Sequence, residues 1–165
     1  DDATSFAGNI SDWDVSNVED MSYMFRNTPK FSSDLSDWDV SSVKDMSYMF
    51  ASSDFNGDIK DWDVSNVKDM DHMFFNSQFN SDISEWDVGS VKDMNSMFKL
   101  SRFTCNISKW DVGSVEDMSN MFRDSAFIGD LSNWKPVSLN KHEVSVDMFR
   151  GSPMARRKKF WPKVQ

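Results

Sequence analysis

FNGDIKDWDVSNVKDMDHMFFNSQ, residues 55–78, decides the reading, because the same sentence is written before it and again three times after it. Trp-Asp-Val stands at Trp13-Asp14-Val15, Trp38-Asp39-Val40, Trp62-Asp63-Val64, Trp86-Asp87-Val88 and Trp110-Asp111-Val112, with tryptophan spacings of 25, 24, 24 and 24. Trp134 follows 24 later with Lys135-Pro136 in place of Asp-Val, and Trp161 lies seven residues after Met154, the step that separates Phe127 from Trp134. This alignment puts all seven tryptophans in one column. Self-similarity at this period indicates a stacked array whose units cannot bury their apolar faces alone.

The 165 residues divide into six coils (6–30, 31–54, 55–78, 79–102, 103–126 and 127–153), expected to form a single elongated domain over 1–165. Residues 1–5 read as the tail of a preceding coil and 154–165 as a C-terminal cap. Twelve of the fourteen phenylalanines fall in two columns, at 6, 31, 55, 79, 103, 127 and at 25, 50, 74, 98, 122, 149. Eleven of the twelve methionines fall in two more. Core packing explains both residue types without a cofactor or a metal.

Within one coil, Trp62 and Val64 alternate with Asp61 and Asp63, a period of two that predicts a short strand with its acids outward. Val67, Met70, Met73 and Phe74 fall at i, i+3, i+6 and i+7, the stripe of a short helix or successive 3₁₀ turns, with Ser65 as its N-cap. Asp20, Asp45, Asp69, Asp93 and Asp117 would lie in the first turn of that helix, where its dipole favours a carboxylate. Residues 76–78 read as a polar turn. The expectation is an α/β repeat solenoid, a right-handed stack of six coils like a leucine-rich repeat, with short parallel strands at Trp-Asp-Val.

The frame F-N-x-D-I-S-x-W-D-V-S-x-V-x-D-M-S-x-M-F, carried by Phe79-Asn80-Ser81-Asp82-Ile83-Ser84-Glu85-Trp86-Asp87-Val88 and continuing to Met97-Phe98, resembles the BspA-like bacterial surface-protein repeat, a relative of the leucine-rich repeats. The resemblance implies a secreted or cell-surface protein engaged in adhesion, with no active site to carry over. Departures are Lys135-Pro136, a three-residue insertion between Trp134 and Phe149, and a basic tail.

A net charge of −9 argues against a nucleic-acid partner and favours a cationic one. A single cysteine excludes an internal disulfide framework and thiolate zinc sites. Cys105 shares a column with Gly8, Ser33, Gly57, Ser81 and Gly129 and reads as a small side chain in a tight corner. No apolar run is long enough to span a bilayer.

The candidate binding face is the outward ribbon Asp12, Asp14, Asp37, Asp39, Asp61, Asp63, Glu85, Asp87 and Asp111. Like charges in adjacent strands, about 4.8 Å apart, repel by about 0.9 kcal/mol per pair even in water. Three readings stay open: a solvated face whose aspartates serve nearby backbone amides, a docking face for a protein or other cationic ligand, and a Ca²⁺ ladder. The basic run Arg156-Arg157-Lys158-Lys159 reads as part of a lid carrying Phe160 and Trp161. His72 is expected at an exposed helical position, and neither it nor His142 has a recurring nucleophile beside it, so no catalytic residue is assigned. A non-enzymatic interaction or adhesion module without a cofactor is the functional expectation, with a structural subunit or spacer as the alternative.

Overall fold

The computed structural model describes residues 4–136 and 146–163. Among these, regular structure is confined to one turn of α-helix, α1 (Val146–Phe149), the 3₁₀ turns Pro153–Arg156 and Lys158–Phe160, and four isolated parallel bridges. The α/β solenoid with leucine-rich-repeat strands and helices is therefore wrong. The chain piles its repeats by turns and single bridges.

No strand forms at Trp-Asp-Val because turns close on both sides of it. The Trp62 amide donates to Ile59 O (3.2 Å) and the Val67 amide to Val64 O (3.0 Å), leaving too short a segment to pair. Pairing occurs further on, where Asp20, Asp45, Asp69, Asp93 and Asp117 bridge in sequence. Alternation of burial survives without a strand: Asp63 is exposed between buried Trp62 and Val64.

The expected helix is prevented by two left-handed residues per repeat, at His72 (φ 53°) and Asn76 (φ 50°) in the third. A right-handed helix does not tolerate such residues, and their equivalents Tyr23, Asn27, Tyr48, Ser52, Ser96, Leu100, Asn120 and Asp124 share the conformation. Amides then alternate in duty. Those of Met70, His72, Phe74 and Asn76 reach the next repeat, at Asp93, Asn95, Met97 and Lys99, while those of Met73 and Phe75 close turns on Met70 and His72. The i, i+3 spacing belonged to turns. Ser65 caps nothing; its amide is held by Asp63 (3.0 Å).

One apolar cluster runs from Ile10 to Met154. Phe50, Phe74, Phe98, Phe122 and Phe149 stack in register at 5.7 to 5.8 Å between centroids, each pair worth about 0.5–1.5 kcal/mol beyond area burial. Tryptophan fixes the register between repeats: the indole N–H of Trp62, Trp86, Trp110 and Trp134 donates to the carbonyl of Leu35, Ile59, Ile83 and Ile107, 27 residues earlier, at 2.9–3.1 Å. Two tryptophans depart from the column. Trp13 is 54% exposed, and Trp161 stacks on Phe149 (4.9 Å) with its N–H on Met154 O (2.8 Å).

Residues 76–78 are not simply a polar turn, since Ser77 is buried, as are Ser53, Ser101 and Ser125. Their hydroxyls accept the amides of Phe55, Phe79, Phe103 and Phe127 (3.2–3.4 Å), steering the chain back into the core. The insertion between Trp134 and Phe149 and His142 lie outside the described residues.

Candidate binding face

In the second, third and fourth repeats three aspartates close a turn by accepting the amide two residues on, a geometry that Asp and Asn side chains favour, and in the first and fifth Asn9 and Asn106 take the first of the three places. In the third repeat these are Asp58 to Lys60 (3.1 Å), Asp63 to Ser65 (3.0 Å) and Asp69 to Asp71 (2.8 Å). The column Asp14, Asp39, Asp63, Asp87 and Asp111 is thus exposed but employed, each member holding the amide of Ser16, Ser41, Ser65, Gly89 or Gly113 at 2.9–3.1 Å. Hydrogen bonds from the Ser16 and Ser41 hydroxyls, then from their amides, hold the Asp14 and Asp39 carboxyls below the usual range, and the Asp14 charge works against this at Asp39.

The neighbouring column, Asp12, Asp37, Asp61 and Glu85, is exposed and largely unemployed. Asp37 and Asp61 make no hydrogen bond or ion pair among the described residues, whereas Asp12 accepts the Ser11 hydroxyl (3.2 Å) and Glu85 pairs with Lys109 (2.7 Å). All nine carboxylates of the sequence-derived face point to solvent. The structure divides them into those that build the turns and those that do not. A third exposed column, Asp34, Asp58, Asp82 and Asp130, widens the acidic surface. Sequence reasoning missed it, although Asp two residues before a small or polar residue recurs there as it does in the other columns.

The bridge aspartates are a fourth set. Burial pushes the Asp69 and Asp93 carboxyls up despite the hydrogen bonds from Asp71 and Asn95, and neighbouring carboxylates add to the rise. No helix dipole acts on them. Among the described residues no three His, Cys, Asp or Glu side chains converge to hold a metal ion.

His72 is not on an exposed helix. It is half-buried, stacked on Tyr48 (4.5 Å), which stacks on Tyr23 (4.7 Å), and its Nδ1 meets Asp71 Oδ1. Cys105 has its thiol pushed up by burial and directed at Asn80 O (3.1 Å), an arrangement without a nucleophile's activation. Its column is tight where glycine occupies it: a Cβ on Gly129 would come within 2.4 Å of the Phe127 ring.

A family profile described as Mycoplasma protein of unknown function, DUF285, matches residues 1–78 and again 52–159. The chain belongs to this family. No curated protein and no solved structure matches it.

Proposed function

We propose that this member of the DUF285 family is a non-enzymatic interaction module that holds a cationic protein partner against its acidic outer face. One observation carries the reading. Asp37 and Asp61 stand exposed, one repeat apart, with no hydrogen bond or ion pair among the described residues, beside a second exposed column in which Asp14 and Asp39 repel one another. Such a ladder raises the local concentration of basic partners and speeds their encounter, with an affinity that falls as salt rises. A secreted or cell-surface setting, with adhesion as the role, follows from the BspA-like resemblance.

A second reading is favoured by the hydrogen bonds of Asp14, Asp39, Asp63, Asp87 and Asp111. Those carboxylates serve the backbone, as the alternative of a structural subunit or spacer requires. The two readings part experimentally. Titrating the chain with a lysine-rich peptide is expected to give binding that weakens about tenfold or more between about 0.05 M and 0.3 M salt. Absent or salt-insensitive binding would leave only the structural role.

A further inference from the structure

The basic run that sequence reading placed in a lid has charge left over. Residues 1–126 carry 24 Asp and Glu against 10 Lys and Arg, a net −14, while residues 127–165 carry 3 against 8, a net +5. The closing segment forms the last layer of the pile: the Leu131 amide donates to Phe160 O (2.9 Å), the Lys163 amide to Trp134 O (3.2 Å), and Trp161 lies on Phe149. An open groove of about 530 Å³ in this layer is lined by Arg156, Arg157, Lys158, Lys159 and Phe160. Arg156, Lys158, Lys159 and Lys163 have no ion pair among the described residues. Asp130 is the carboxylate beside Lys159 and Lys163. Exposed Ile128 adjoins the groove, with its carbonyl held by Arg157 (2.8 Å).

We propose that this end layer docks on the surface of an anionic lipid bilayer. A planar surface suits it because the acids recede from that end: Lys109 and Lys135 stand where earlier repeats carry Asp61 and Asp63, and Glu85 is already paired with Lys109. With layers about 4.8 Å apart, Asp111, the nearest acid of these two columns, lies roughly 10 Å behind the cap, beyond the Debye length of about 8 Å at physiological salt. A nucleic acid, by contrast, is an extended polyanion that would run back along the acidic columns. Its bases would also find no free ring, since Phe160 is flanked by Arg157 and Lys159 at 4.6 Å and Trp161 covers Phe149. Each cation at an anionic surface contributes about fivefold in affinity, so the cluster suffices for salt-sensitive docking, and Ile128 adds an apolar contact.

Co-sedimentation with vesicles tests this. The chain is expected to bind phosphatidylcholine vesicles containing about 30% phosphatidylglycerol, to ignore pure phosphatidylcholine, and to weaken tenfold or more as salt rises from about 0.05 M to 0.3 M. The variant Arg156→Gln/Lys158→Gln/Lys159→Gln/Lys163→Gln should lose about a hundredfold or more with an unchanged melting transition. Lys158→Arg/Lys159→Arg/Lys163→Arg, which keeps the charge, should bind as the parent does. Should the quadruple variant fail to fold, Lys158→Gln/Lys163→Gln takes its place, with a loss of about tenfold or more. Equal binding to neutral vesicles, no binding to anionic ones, or a folded Gln variant that binds normally would overturn the proposal. Tighter retention of duplex DNA than of the anionic vesicles would assign the face to nucleic acid instead.

Discussion

Asp39 and Asp93 do the same local job and meet opposite electrostatic fates. Each accepts the amide two residues on, at 3.1 and 2.7 Å, yet the Asp39 carboxyl is held below the ordinary value, chiefly by the Ser41 hydroxyl, and the Asp93 carboxyl is pushed above it by burial. The bridge column shows the same divergence within itself. Asp20, in the first repeat and exposed, is lowered, whereas Asp69, with a repeat on either side, is raised. Burial raises Asp69 and Asp93, which have only a backbone amide to oppose it, whereas a serine hydroxyl as well as an amide lowers Asp20 and Asp39. One motif therefore yields both interior spacers that tolerate charge at a cost and surface carboxylates that keep it freely.

Removing an acceptor should break the comparison most visibly inside. Asp93→Ala strands the Asn95 amide in a half-buried ladder and is expected to lower stability by about 1–3 kcal/mol in chemical denaturation. Asp39→Ala leaves the Ser41 amide where water reaches it, and its cost should be about 0.5–1 kcal/mol. Equal losses would mean that the two columns are not distinguished by burial.

A pH series sharpens the contrast. Because the folded values of Asp69 and Asp93 lie above 3.8, acidification through those raised values toward 3.8 should increase their contribution to stability. Asp14 and Asp39 have folded values below 3.8, so their contribution is present above 3.8 and is lost as pH falls further. Asp69→Asn/Asp93→Asn keeps both acceptors without charge. It should melt slightly higher at neutral pH and lose the mild rise on acidification. A smaller effect tests the backbone that replaced the helix: Leu100, exposed at φ 61°, should gain a few tenths of a kcal/mol on substitution by Asn, which tolerates the left-handed region.

The amino-acid order already contained the register of this molecule. Five of the seven tryptophans, Trp38 to Trp134, and two phenylalanine columns at a 24-residue step mark the ring stacks and the indole-to-carbonyl bonds, because only a side chain with a fixed neighbour in every repeat needs so regular a placement. Local conformation was not legible. Alternation over Trp62-Asp63-Val64 fits any short extended segment, and apolar spacing of three fits a helix or a chain of turns. What decides between them is a positive φ at Tyr48, Ser52 and Leu100, residue types that do not advertise it. The ribbon of acids was legible as an outward face. Its division into employed and idle carboxylates was not, because Asp39 and Asp37 differ only in whether Ser41 lies within reach.

The central claim, that idle carboxylates bind while employed ones build, is tested most directly by two variants measured side by side for lysine-rich peptide affinity and for melting temperature. Asp37→Asn/Asp61→Asn should lose several-fold in affinity and much of its salt dependence while melting with the parent. Asp39→Ala/Asp63→Ala/Asp87→Ala, which removes three turn-closing acceptors, should melt several degrees lower. If the first variant binds as the parent does, or melts as low as the second, the acidic face is scaffold alone and the account is wrong.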